Sequence, residues 1–440
     1  VENIYHDRPL GLDQNVNVSK LRPSFFAKIL FTFLSKAFRM SLSNANKQKD
    51  TKMNTTFLKN NFEQTFKQES TDLFFSPGRI NIIGEHTDYN GGHVFPCAIS
   101  LGTYAAYGPR TDKKIAICSG NMDNDLVAFE IGDRKLEADP DHKWINYFKG
   151  MTAYVQDESR EIDHGFNLYV WGNLPYGAGL SSSASIEMLI GHVLTEEYGL
   201  EIDPVKLAQL GQKTENEFIG LSSGIMDQFA VNMSKKDQAI FLDCATLQYD
   251  YLPLDLGDYE IIIMSTNKKH SLADSAYNDR VRECQEATSK LQEKLRIDHL
   301  GDIDEETFDE YSYLINDETL LKRARHAVFE NQRTIKATKA MADKDLGRLG
   351  RLINASHVSL HFDYEVTGKE VDTLVENAWK QAGCLCAKMI GGGFGGSAIA
   401  IVKEDKVDEF KEKVGKIYEN AVGYAAGFYE AKIVDGTHKL

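Results

Sequence analysis

Between Ser76 and Gly92 the chain reads Ser-Pro-Gly-Arg-Ile-Asn-Ile-Ile-Gly-Glu-His-Thr-Asp-Tyr-Asn-Gly-Gly. Arg79 is followed by Glu85, His86, Asp88 and Asn90, more hydrogen-bonding side chains beside glycines than a connecting loop requires. Carboxylates accept from hydroxyls, and a fixed guanidinium sets positive charge beside them. The pattern suits a pocket for a polyhydroxylated ligand.

A second segment, Gly172 to Ser185, carries Gly177, Gly179 and the serines Ser181, Ser182 and Ser183. It lies between a strand-like run, Phe166 to Trp171, and a run with helical apolar spacing through Ile186, Leu189, Ile190, Val193 and Leu194. The glycines and serines therefore fall at a helix start, whose first N–H groups lack intrahelical partners and whose dipole favours an anion. Phosphate is the natural guest, and the hydroxyls can cap the helix, bind that phosphate or face a metal. A third segment, Lys388 to Ser397, formally contains the spaced glycines of a dinucleotide fingerprint. It is followed by the strand-like Ala398 to Val402 instead of a helix, so it reads as a hairpin whose backbone lies close to a ligand or another loop. No glycine-rich stretch ends in Gly-Lys-Ser/Thr, and the protein-kinase loop signatures are absent.

Two acids bracket the segment from Glu215 to Asp227. Asp203-Pro204 is a strong helix start, and the spacing predicts a helix over 204–219 with Glu215 near its end. A carboxylate there opposes the helix dipole, a cost that a bound cation would offset. Asp227 sits between Met226 and the apolar Phe229-Ala-Val231, where a carboxylate is either desolvated or paired.

The first segment resembles the signature of the galactokinase family, and the three together resemble the motif set of the GHMP kinase superfamily. The similarity runs from about Phe57 to the C-terminus and includes Asp363-Tyr-Glu-Val-Thr367 and Tyr277-Asn-Asp-Arg280. The resemblance implies an ATP-dependent sugar kinase that phosphorylates the anomeric hydroxyl of galactose, the first committed step of galactose catabolism. It implies Asp227 as catalytic base and Arg79 as transition-state stabiliser. Glu85, His86, Thr87, Asp88 and Tyr277 would contact the sugar. Gly177, Ala178, Gly179, Leu180, Ser181, Ser182 and Ser183 would hold ATP phosphates, Ser119 would contact the nucleotide, and Ser183 and Glu215 would ligate Mg2+. Galactokinase-like sugar sensors lack part of the serine–alanine run, which is complete here from Ser181 to Ser185. The alternatives are an N-acetylgalactosamine kinase and a non-catalytic galactose- and ATP-binding sensor.

These residues need a scaffold. Strand patterns at Leu73–Phe75 (running into a Pro-Gly turn), Gly102–Tyr107, Lys114–Cys118 and Leu168–Trp171 precede helices at 182–198 and 204–219. Strands follow at Ala239–Leu242 and Glu260–Ser265, then a long helical region, strands at Cys386–Ile390 and Ala398–Val402, and a last helix near 405–419. Such mixed runs indicate an α+β fold. The 440 residues exceed one typical domain. The reading is an N-terminal kinase domain over 53–255 and a C-terminal GHMP-type domain over 256–440; the resemblance places the active site in the cleft between them.

Residues 1–52 differ from the rest. They carry a balance of +5, against a formal net charge of −15 for the whole chain, which leaves the remainder strongly acidic. Phe25 to Phe38 is apolar and basic, too short and too interrupted by Lys28 and Lys36 to span a bilayer, and suits an interfacial helix or a targeting segment. Residues 1–52 are expected to be an extension dispensable for catalysis. The acidic body argues against a nucleic-acid partner. The six cysteines are too sparse for a disulfide scaffold and are expected to be reduced, in a cytoplasmic and monomeric enzyme.

Overall fold

The fold is built on the strand that carries Arg79. In the computed structural model, which describes residues 55–132, 136–159, 162–268 and 273–440, helix α1 (Thr55–Phe66) leads into β1 (Asp72–Asn81). β1 is almost wholly buried and pairs antiparallel with β3 (Pro96–Pro109) along its length. The expected Pro-Gly turn is not there. Proline lacks a ladder N–H, and the strand absorbs it as a register shift between Pro77 and Gly78 before continuing. That irregularity keeps Arg79 on a rigid strand instead of a loop.

The sheet of β1 is six-stranded, in the order β13–β1–β3–β6–β4–β5. Its other members are β4 (Lys114–Ser119), β5 (Asp125–Glu130), β6 (Phe166–Gly172) and β13 (His438–Lys439), and only β4 and β6 pair parallel among them. Helices α2 (Ile145–Ser159) and α3 (Ser182–Glu197) cover it through Phe148, Met151, Met188 and Val193, against Ile115, Ile117 and Leu168. α4 (Pro204–Lys213) starts where the sequence places it, with the Asp203 carboxylate accepting from the Val205 and Lys206 N–H groups and Pro204 in the first turn. It runs on without a break to Ile219, the expected end, but not as an α-helix throughout. Thr214–Ile219 form a π-turn closed by Gly220 in the left-handed region, and α5 (Met226–Met233) follows. A small sheet joins β2 (His93–Val94), β7 (Gln238–Asp243) and β8 (Tyr249–Pro253).

The later half of the chain builds an antiparallel sheet, β10–β11–β9–β12, from β9 (Tyr259–Ser265), β10 (Cys384–Ile390), β11 (Ser397–Lys403) and β12 (Gly427–Ala431). Helices α6 (Ala273–Leu291), α7 (Glu305–Tyr311), α8 (Glu318–Ala342), α9 (Leu346–Ser359), α10 (Lys369–Ala378) and α11 (Val407–Val422) accompany it. Alternation along the strands splits their side chains between two cores. Ile262, Met264 and Ala400 join Val371, Leu374 and Phe410. Ile261, Ile263, Ile399 and Ile401 meet Ile80, Ile82 and Phe95 from the first half. At about 1.5–3 kcal/mol for each buried large aliphatic side chain, that shared core fixes the two halves together. The last strand, β13, returns to β1, and residues Leu58–Leu440 form one unit. The sequence boundary near residue 255 falls between β8 and β9, where the chain changes sheet.

Among the described residues no helix is long and apolar enough to cross a membrane. The apolar, basic segment Phe25–Phe38 lies outside the described residues. The six cysteines are all free thiols.

Candidate active site

Arg79 and Asp227, 148 residues apart, meet as a bidentate pair. Arg79 Nε donates to Asp227 Oδ1 at 2.7 Å and Nη2 donates to Oδ2 at 2.9 Å. Nη1 donates to the Gly179 carbonyl at 2.7 Å, so the same guanidinium is anchored to the glycine-rich loop. Planar double contact of this kind fixes direction as well as charge. The Arg79 side chain is 4% exposed and that of Asp227 28%, so the carboxylate keeps an open face. Ser181 Oγ donates to Asp227 Oδ2 at 2.5 Å.

Both side chains line a cavity of about 740 Å³. Glu85, His86 and Asp88 enter it from the β1–β2 connection, Gly177 to Ser183 from the β6–α3 connection, Glu215 from the π-turn, and Tyr277 from α6. The sequence segments singled out thus converge on one space between the two halves of the fold. Ser119 and Thr87 are not among its lining. Ser119 closes β4, paired in register with Asp125 and Val170. Thr87 Oγ1 lies 2.8 Å from the Gly84 carbonyl and 2.7 Å from that of His93, and so braces the turn that presents its neighbours.

The sugar-loop side chains have distinct electrostatics. His86 Nδ1 is 2.8 Å from the Tyr89 hydroxyl, itself 2.7 Å from the Tyr364 hydroxyl. Burial pushes the His86 pKa down to about 3, so the ring is neutral, and its buried Nε2 meets no hydrogen-bond partner of good geometry among the described residues. Tyr277 packs against this ring with centroids 5.6 Å apart. Burial, helped by the charge of Asp227, lifts Asp88 to about 6. Gly224 passes directly over Asp88. A Cβ there would stand 2.0 Å from Asp88 Oδ2, so only glycine allows the segment before α5 to cover that carboxylate.

On the other side of Asp227, α3 opens toward the cavity at its N-terminus. Ser181 occupies the N-cap position in the left-handed region, with its side chain turned away from the helix and onto Asp227. Glu215 is 4% exposed, and burial raises its pKa despite hydroxyls of Ser223 and Ser183 beside it. Sequence reasoning missed the acid behind it. Glu187, in the second turn of α3, is wholly buried; its Oε2 accepts from Gln228 Nε2 at 2.9 Å, and its Oε1 has no partner among the described residues. It sits within Ile186-Glu-Met-Leu189, where an acid in an amphipathic helix reads as solvent-facing. Sequence reasoning also passed over Lys388, which opens the third glycine-rich segment and here pairs with Glu85 at 2.6 Å.

A cavity between two α+β halves, with a helix N-terminus on one wall and a polar loop on the other, defines a GHMP-type kinase site. The description "GHMP kinases N terminal domain" matches residues 146–235, "GHMP kinases C terminal" matches 337–420, and "Galactokinase galactose-binding signature" matches 60–109. The chain belongs to the galactokinase family. It is 69% identical to a galactokinase of Limosilactobacillus fermentum and 66% identical to one of Lactobacillus helveticus, in each case over 388 residues that make up 88% of this chain and 100% of the relative. A crystal structure of Lactococcus lactis galactokinase complexed with galactose superposes with a TM-score of 0.85 at 48% identity, covering 88% of this chain and 100% of that one. The mevalonate kinase of Methanococcus jannaschii shares the fold, with a TM-score of 0.60 at 17% identity, covering 82% of this chain and 98% of that one.

Proposed function

We propose that this chain transfers the terminal phosphoryl group of ATP to the anomeric hydroxyl of galactose, giving galactose 1-phosphate and ADP. The observation that carries the reading is the Arg79–Asp227 pair, held where the sugar loop and the glycine-rich loop face each other across one cavity. Phosphoryl transfer depends on alignment and on neutralising charge. Asp227 presents an oxygen to the attacking hydroxyl and accepts its proton, or holds the oxygen in line as charge develops. Arg79 holds that carboxylate in place through its two hydrogen bonds, and the N–H groups left on Nη1 and Nη2 meet the transferring phosphate. Ser181, already bonded to Asp227, fixes the carboxylate from the phosphate side. The opening of α3 holds the phosphates that stay behind.

Glu215 and Ser183 are the residues that would hold Mg2+ with the nucleotide. They fit it: a buried carboxylate pushed toward the neutral form and a facing hydroxyl are hard oxygen donors that a divalent cation would satisfy. Among the described residues no cluster of three or more His, Cys, Asp or Glu side chains is arranged for a metal. When bound, the ion neutralises phosphate charge. His86, Asp88 and Tyr277 form the wall that reads the sugar, and the free thiols suit the cytoplasm.

An ADP-release assay with galactose, glucose, N-acetylgalactosamine and mevalonate as acceptors tests the proposal. Turnover confined to galactose supports it. Preference for N-acetylgalactosamine would replace it, and binding of galactose and ATP without ADP release would make the chain a sensor.

A further inference from the structure

Glu85 lines the cavity, yet half of its carboxylate is already committed to the protein. Oε2 accepts from Asn81 Nδ2 at 2.9 Å and from Lys388 Nζ at 2.6 Å. Oε1 meets, among the described residues, one long contact from the Gly391 N–H at 3.3 Å. Lys388 arrives on β10, 303 residues away, and its side chain is 0% exposed against 1% for Glu85. The ammonium also donates to the Asn81 carbonyl at 3.2 Å.

Stability alone does not account for a lysine here. A buried ion pair gains little over apolar side chains of the same volume, because both charges must leave water. The asymmetry of the carboxylate does account for it. One oxygen is filled by two protein donors, while the other has a single long contact and keeps acceptor capacity. Burial lifts Glu85 to about 7 even with Lys388 alongside. Lys388 pulls that value down, so without the cation the carboxyl would shift further toward the neutral acid, in which an acceptor oxygen becomes a donor. The same lysine stands at the root of the hairpin that packs on the phosphate loop: a Cβ on Gly391 would lie 2.7 Å from the Gly179 carbonyl, so the two backbones touch.

We propose that Lys388 is a positioning residue for the acceptor sugar: it occupies Oε2 of Glu85 and draws the carboxyl toward its charged form, leaving Oε1 to accept from a sugar hydroxyl. The inference rests on the galactose-kinase reading above. It makes sugar affinity, and not nucleotide affinity, depend on a side chain that reaches the sugar only through Glu85.

The test compares the full chain with Lys388→Met, Lys388→Gln and Lys388→Arg. KM for galactose and for ATP are measured together with galactose binding by calorimetry, and near-UV circular dichroism reports folding. Lys388→Met and Lys388→Gln are expected to weaken galactose by about tenfold or more while ATP changes by less than about threefold. Lys388→Arg, which keeps the charge and the donors, is expected to recover most of that loss. Galactose affinity within about twofold of wild type in folded Lys388→Gln, or equal weakening of both substrates, would overturn the proposal. Should Lys388→Met fail to fold, Lys388→Gln decides. Calorimetry keeps the two readings apart: a wild-type chain that binds galactose without turnover sinks the kinase reading and leaves the Lys388 comparison intact.

Discussion

Asp88 is the residue at which solution conditions should act on the proposed site. Its pKa is lifted to about 6, first by burial and then by the charge of Asp227, and that of Glu85 to about 7, chiefly by burial. Both values lie above the ordinary carboxylate range, so the sugar-free folded state binds protons more tightly than the unfolded chain. The stability they contribute is full at low pH and is lost as pH rises through about 6 and then about 7. A sugar hydroxyl donating to either group favours the charged form, so galactose should reverse that trend. Melting curves recorded from acid to neutral pH, with and without galactose, are expected to show the largest galactose-induced rise in Tm near neutrality. As pH drops below about 7, kcat/KM for galactose should fall by about tenfold per pH unit, and more steeply once it passes about 6. A flat galactose effect across that range would remove Asp88 and Glu85 as acceptors.

The elements matter through how they aim these residues. Much of this was legible in the sequence because it is local: Asp203-Pro204 caps a helix, and the glycine run between β10 and β11 turns a hairpin. The errors came where tertiary pairing overrides local signals. Pro77-Gly78 reads as a turn, yet β3 pairs with the strand on both sides of it. The helix predicted over 204–219 does span those residues; what the sequence did not show is that Thr214–Ile219 wind as a π-turn, from which Glu215 lines the cavity. The sequence brought out Arg79 and Asp227 individually, while the Glu85–Lys388 pair spans 303 residues and has no local signature. Gly224 belongs to this scale, because the segment leading into α5 can cover Asp88 only without a Cβ. Gly224→Ala is expected to cost about 1–3 kcal/mol of stability, from a clash that must displace Asp88 or the loop. Galactose KM should rise with it, measured beside ATP KM and denaturant midpoints. Unchanged midpoints and unchanged galactose KM would show that the site does not need this close approach.

At the scale of the molecule, the site exists because two α+β halves share one apolar core, with Ile80 and Ile82 from the strand of Arg79 packed against Ile261, Ile263 and Ile399. Among the described residues the cavity's lining runs from Arg79 to Gly396. The relatives match 88% of this chain across their whole length. A protein starting at Met53 is therefore expected to keep kcat and both KM values within about twofold of the full chain, read in the same ADP-release assay. Loss of turnover in that protein would assign the extension a catalytic role.

The account turns on Asp227 sitting between sugar and phosphate with Arg79 behind it. The most direct measurement is phosphorus NMR of ATP and galactose incubated with wild-type protein and with Asp227→Asn, paired with calorimetric binding of galactose to both. Wild type should produce an anomeric sugar phosphate. Asp227→Asn should bind galactose within a fewfold of wild type and form product about a hundredfold to ten-thousandfold more slowly. Product formation by Asp227→Asn at close to the wild-type rate would contradict the account.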